Sequence, residues 1–161
     1  MDYVADAAGV GRATVYRYFP NRDALLGALL EDALEDMALR LDEAEIDEVP
    51  VAEGIARTAR ALVGASSKYA FLSQEAEHTA AGVEGGKVDE CLGIPIRALL
   101  RRGIDDGTLR PDWSEIETSR MFGGLIQAAV QMMAHGGIGL ERAAAMVSSV
   151  FLEGASAQNS V

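Results

Sequence analysis

The 161-residue sequence predicts an all-α chain. Three observations carry that reading. Apolar residues recur at three- and four-residue spacing along most of the length, capping residues precede several of those stretches, and no run alternates apolar and polar side chains between hairpin turns. Hydrophobic residues make up 49% and charged residues 24%, a composition that supports a folded core and sets the chain apart from disordered ones.

Residues 2–8 read as a short helix broken by Gly9-Val10-Gly11. Residues 12–19 form a second short helix, stopped by Pro20-Asn21. Asn21 is placed to cap the next helix, 22–41, and Asp23 falls in its first turn, where a carboxylate favours the helix dipole. Leu25, Leu26, Leu29, Leu30, Leu34, Met37 and Leu41 make its apolar stripe. An acidic connection, 42–50, leads to a helix over 51–65 with Ile55, Ala59, Leu62 and Val63 inward. Ser66 or Ser67 is placed to cap a further helix, 68–79, and the glycine-rich stretch 80–86 reads as a loop. Residues 88–106 are helical on the stripe Leu92, Ile96, Leu99, Leu100 and Ile104, with a kink or a broken turn expected at Pro95. The turn 107–112 precedes Trp113, which is expected to anchor it against the body. Ser114 followed by Glu117 spells a capping box for a long helix that ends near His135, whose place suits the negative end of the dipole. Glycines at 136, 137 and 139 separate it from a last helix, 140–154, and the polar tail frays.

Several function classes are excluded. Cys91 is the only cysteine, so neither an intramolecular disulfide nor a multi-cysteine metal centre is available, and on a helix it reads as a small half-buried side chain. Glu75 and His78 share a helix face but lack a third ligand nearby, so no metal and no cofactor are expected. The sequence holds no G-x-S-x-G, no glycine-rich phosphate loop and no H-E-x-x-H, and neither catalytic residues nor an enzymatic activity are expected. With no long apolar segment and an acidic start, a soluble cytoplasmic protein without membrane association is expected.

The formal net charge of −11 opposes broad, non-specific binding to nucleic acid. The charge is uneven, however. Residues 31–53 hold ten acids against Arg40 alone, whereas in residues 1–25 Arg12, Arg17 and Arg22 balance Asp2, Asp6 and Asp23. A nucleic-acid surface is therefore expected in the first segment.

That segment has the layout of a helix-turn-helix over 6–19. Ala7 and Ala8 are small enough for a close helix crossing, Gly9 supplies the sharp turn, Val10 fills the angle, and Val15 and Phe19 face inward. The second helix is left with Arg12, Ala13, Thr14, Tyr16, Arg17 and Tyr18 outside. A helix of this size fits the major groove, and tyrosine hydroxyls, arginine and N-terminal amides suit phosphate contacts.

The stretch VADAAGVGRATVYRYFPNRDALLGALL, residues 4–30, resembles the signature of the TetR family of bacterial transcriptional regulators. The turn glycine, the Ala-Thr-Val-Tyr-Arg-Tyr-Phe run and the Asn-Arg-Asp-Ala-Leu start of the next helix all occur in register. The resemblance implies that 12–18 is the recognition helix. Arg12, Ala13, Thr14 and Arg17 would face bases, and Tyr16, Tyr18 and Arg22 would contact phosphate. Gly11 stands where the family has a serine or threonine, a departure costing only about a few tenths of a kcal/mol at a helix cap. A further helix precedes this motif in the family. Here three residues precede Val4, so an incomplete helix-turn-helix lacking its first helix is expected, truncation being the favoured reason.

The resemblance also implies a DNA-binding domain at 1–30, a helical regulatory and dimerisation domain at 31–155 and a frayed tail at 156–161. The pattern LLRRGIDDGTLR at 99–110 is familiar from the family as well. A homodimer through the last two helices is implied, with Ala128, Met132, Ala143, Val147, Val150 and Phe151 as interface candidates and monomer core as the other reading of the same residues. Candidates for a ligand pocket are Tyr69, Leu72, Leu92, Met121, Phe122, Leu125 and Met133, with Glu75, His78 and Gln127 as polar groups, because apolar walls with a few polar groups make a small-molecule site. Plain core is the alternative for these too. The implied function is a sequence-specific DNA-binding regulator, a repressor released from its operator by a small-molecule effector. The alternative is a helical homodimeric ligand sensor, or a truncated form, unable to bind DNA.

Overall fold

A computed structural model of the chain describes residues 1–69 and 85–156. The helices are α1 (Asp2–Ala8), α2 (Arg12–Tyr18), α3 (Arg22–Glu43), α4 (Val51–Lys68), α5 (Gly85–Val88), α6 (Ile94–Asp105), α7 (Glu115–Ala134) and α8 (Leu140–Ala155), with a π-helical turn, Asp89–Gly93, joining α5 to α6. The all-α expectation holds among the described residues, whose one β-type contact is an isolated bridge between Leu109 and Ser156. No helix of the described residues is long and apolar enough to cross a membrane.

The local signals act as the sequence suggests. Gly9 ends α1 in the left-handed region, φ 66°, which an L side chain adopts only at a cost. Asn21 caps α3 by accepting from the Ala24 amide at 2.8 Å. Ser114 and Glu117 close the capping box of α7, each side chain meeting the other residue's backbone amide. At the far end of α7 the Nδ1–H of His135 donates to the Gln131 carbonyl at 2.7 Å, the proton being required there because a carbonyl only accepts. Trp113 packs on the core as expected, with the Arg110 guanidinium 4.6 Å above its ring.

Three expectations change. First, Ser66 and Ser67 do not start a helix, because α4 continues through them to Lys68. Ser67 satisfies its hydroxyl on the Gly64 carbonyl at 2.9 Å, and nothing in that stretch interrupts the backbone ladder. The rest of the expected 68–79 helix, with Leu72, Glu75 and His78, lies outside the described residues. Second, Pro95 produces a π-helical turn. Its ring nitrogen cannot donate to the carbonyl four residues back, and the widened turn Asp89–Gly93 sits just before it. Third, the crossing of α1 and α2 is made by Ala5, 1% exposed, whereas Ala7, Ala8 and Val10 lie at the surface.

α4 is the centre of the body. Ile55, Thr58, Ala59 and Val63 are wholly buried, and α3, α6, α7 and α8 all pack against it. The core adds Leu99 and Leu100 from α6, Phe122 and Ile126 from α7, and Val147 and Phe151 from α8. The Phe122 and Phe151 rings meet at 4.8 Å between centroids. The α3–α4 connection is held from outside. Arg102 on α6 donates to the carbonyls of Ile46, Asp47 and Val49 at 2.7, 2.6 and 2.9 Å, and Arg57 donates to Ala44 at 3.1 Å.

The candidate interface residues therefore divide. Ala143, Val147 and Phe151 are at most 3% exposed within one protomer, so they have no surface to offer a second copy. Ala128, Met132 and Val150 are exposed.

Phe151→Ala is expected to lower the unfolding free energy by about 3–5 kcal/mol, the cost of a large buried ring. The deficit, read from denaturant midpoints, should be the same at every protein concentration. Gly9→Val should strain the turn by about 1–2 kcal/mol and speed amide exchange at Val15 by about tenfold or more, which NMR-detected hydrogen exchange would measure.

Candidate functional site

The N-terminal surface is built on a rigid turn. The Gly9 amide donates to Asp6 at 3.2 Å and the Val10 amide to Ala5 at 3.1 Å, which ties the turn to α1. The Gly11 carbonyl accepts from Thr14 and Val15 at 2.9 and 3.2 Å, so glycine starts α2 without a side-chain cap. Val15 is 7% exposed and Phe19 half-buried, which fixes the rotation of α2. Arg12, Ala13, Tyr16, Arg17, Tyr18 and Arg22 are consequently exposed and Thr14 half-buried. Tyr16 and Tyr18 expose 47% and 66% of their surface, far more than packed tyrosines would.

Two contacts organise the charges there. The Arg17 guanidinium lies 5.0 Å from the Tyr18 ring centroid and 3.4 Å from its hydroxyl, which presents arginine and tyrosine as one unit. Arg12 pairs with Asp2 across the turn at 3.1 Å, both side chains more than half exposed.

The second feature is a cavity of about 690 Å³ in the body. Met37 of α3, Leu62 of α4, Leu92 of the π-helical turn, Ile96 of α6, and Phe122 and Ile126 of α7 supply apolar walls. The volume falls in the range of about 300–1,000 Å³ usual for small-molecule sites. Of the pocket candidates, the cavity takes Leu92 and Phe122. Tyr69 is buried elsewhere, packed with Leu26 and Ala33, and its hydroxyl donates to Asp32 at 2.7 Å. Leu125 and Met133 pack on the core, while Met121 and Gln127 face solvent. The cause is helical phase: the cavity sees the α7 stripe Ile116, Ser119, Phe122, Gly123 and Ile126, and the other candidates are rotated off it. Leu72, Glu75 and His78 lie outside the described residues.

Sequence reasoning missed the charged rim. Asp89, Arg97, Glu115 and Arg120 all line the cavity. Arg97 grips Asp89 through both guanidinium nitrogens, at 2.5 and 3.0 Å, across Gly93. A Cβ at Gly93 would come within 2.7 Å of that guanidinium, so glycine is what lets the pair cross the helix. The hydrogen bond from Arg97 holds the Asp89 carboxyl below the usual carboxylate range. Glu115 is bound from outside by Arg101, at 2.7 Å through Nε. The spacing of Arg97 from Asp89, across Pro95, was the available signal. Among the described residues no cluster of three or more histidine, cysteine or carboxylate groups could hold a metal ion. Cys91, at the π-helical turn, is half-buried.

Comparison with known proteins gives the following. The sequence profile "Bacterial regulatory proteins, tetR family" matches residues 1–29. The uncharacterised HTH-type transcriptional regulator YhgD of Bacillus subtilis (strain 168) is 26% identical over 117 residues, 69% of this chain and 61% of YhgD. The chain thus spans less than two thirds of that relative. Among solved structures, the TetR-like transcriptional regulator LfrR from Mycobacterium smegmatis, in complex with proflavine, superposes with a TM-score of 0.71 at 24% identity, covering 94% of this chain and 82% of LfrR. The fatty acid degradation regulator FadR from Bacillus halodurans gives 0.70 at 20% identity, covering 94% and 86%. The family profile thus lies on α1, α2 and the start of α3, and the helical body behind them shares its fold with these regulators.

Proposed function

We propose that the chain is a homodimeric, sequence-specific DNA-binding transcriptional regulator, acting as a repressor released by a small molecule held in the body cavity. The observation that carries this reading is the outward face of α2, where Ala13, Tyr16, Arg17 and Tyr18 stand exposed on a helix locked by Val15 and Gly9. Base edges would meet Arg12, Ala13, Thr14 and Arg17. Phosphates would meet Tyr16, Tyr18 and Arg22.

Two such helices need a fixed separation near one turn of DNA. A face of α7 and α8 suits that task. Met121, Gly124, Ala128 and Met132 form one exposed stripe on α7, and Met146 and Val150, four residues apart, are exposed on α8. Two copies of this face would make a four-helix interface, small residues allowing close approach. Effector control is supported by the cavity and by the relatives, one crystallised with proflavine and another described as a regulator of fatty acid degradation. α3 would carry the signal, since Met37 touches the cavity and Asn21 caps the same helix beside α2.

The test is fluorescence anisotropy of the 161-residue chain with DNA from upstream of its own gene, at two salt concentrations and against an unrelated duplex. Selective, salt-dependent binding is expected. Equal, weak binding to both duplexes would favour the DNA-independent ligand sensor. Arg22→Ala should weaken binding to all sequences alike and flatten the log–log salt slope by about 0.9, the share of one phosphate contact. Asp2→Asn should do the reverse, strengthening and steepening binding by freeing Arg12. Sedimentation should give the mass of two chains at micromolar concentration, and Val150→Asp should give one, because an ionised side chain would be buried without a partner.

A further inference from the structure

The rim of the cavity departs from the charge of the molecule. On a chain of net charge −11, the lining and its immediate partners contribute Arg97, Arg101 and Arg120 against Asp89 and Glu115. Both carboxylates are taken, Asp89 by Arg97 and Glu115 by Arg101. Arg120 lines the cavity without an ion-pair partner among the described residues. Among the described residues the charge of Arg120 is therefore left uncompensated beside walls of leucine, isoleucine, phenylalanine and methionine.

Resting on the reading of this cavity as the effector site, we propose that the effector is an amphiphile with one anionic head group. Its chain lies on Leu62, Leu92, Ile96, Phe122 and Ile126, and its head group sits between Arg97 and Arg120. The side-chain exposures make the exchange easy. Asp89 is 54% exposed and rehydrates readily on release, whereas Arg97, 25% exposed, needs a carboxylate beside it and accepts the incoming one in the same fork geometry. A cationic effector lacks such an opening, since Glu115 already faces Arg101 and any cation would meet Arg97 and Arg120.

The experiment uses the full chain loaded with Nile red, a neutral apolar dye, and three competitors below their micelle concentrations: sodium dodecanoate, dodecanol and dodecyltrimethylammonium. Gly123→Trp, which directs an indole into the cavity from a position with open space around its Cβ, should abolish dye binding and so locates the dye. Dodecanoate should displace the dye at a concentration about tenfold lower than the other two, the margin of a charge-assisted over a neutral hydrogen bond. Arg120→Ala should remove that advantage while leaving displacement by dodecanol unchanged. If the dye binds in the cavity but the neutral or cationic amphiphile competes as well as dodecanoate, the charge assignment is overturned and the cavity reading stands. If neither dye nor competitors bind, the cavity reading falls and the proposal falls with it.

Discussion

α3 is the constraint on which both ends of the molecule depend. Its 22 residues run without a break from Arg22 to Glu43, about 33 Å at the rise of an α-helix. The N-terminal end is fixed by Asn21 and leads directly from α2, and Leu26 begins its packing. Further along, Ala33, Leu34 and Leu41 are buried, and Met37 forms part of the cavity wall. Most of a helix's stability in a folded chain comes from such packing, and the larger buried part of α3 lies against α4 and the body, which set its position. The orientation of α2 follows.

Charge is placed to match. The acids of 31–53 belong to the middle and second half of α3, the connection after it and the start of α4, whereas the exposed face of α2 carries arginine and tyrosine. Self-repulsion in the acidic connection is opposed by the two arginines that hold its backbone, Arg57 and Arg102. Arg102 binds three carbonyls at once, which orders the segment that turns α3 into α4. The same turn holds Glu45 at φ 48°, a left-handed conformation that a glutamate adopts only when its surroundings impose it.

What was legible in the sequence was what local chemistry decides. Asn21, Gly9, the Ser114–Glu117 box and the glycines after His135 act within a few residues of themselves, and each marks the boundary it was expected to mark. The rotation of the later helices was much less legible. α7 carries adjacent apolar pairs, Met121–Phe122, Leu125–Ile126 and Met132–Met133, and neighbours on a helix differ by about 100°. Periodicity alone cannot choose between them. Phe122 and Ile126 go inward while Met121 and Met132 go out, and α8 splits the same way between Val147 and Val150. The cavity arginines were missed for a related reason: a charged residue on an amphipathic helix reads as solvated, and only the neighbouring π-helical turn and Gly93 bring Arg97 to the rim.

On the proposed mechanism, head group and chain have different tasks. To move a two-state equilibrium from mostly DNA-competent to mostly released, an effector needs roughly a 10⁴-fold preference for one state, about 5.5 kcal/mol. The exchange of Asp89 for another anion beside Arg97 trades one exposed ion pair for another and supplies little of that, since exposed pairs contribute weakly in water. The remainder has to come from apolar burial. At about 25 cal/mol per Å², the preference corresponds to about 220 Å² more apolar surface buried in the released state than in the DNA-bound one. The wall residues that belong to α3 and α4, Met37 and Leu62, are therefore the ones whose contacts must differ between the two states. On that mechanism the arginines would choose which molecule enters, and a chain lying on Leu62, next to Met37 in the cavity wall, would displace α3 and with it α2.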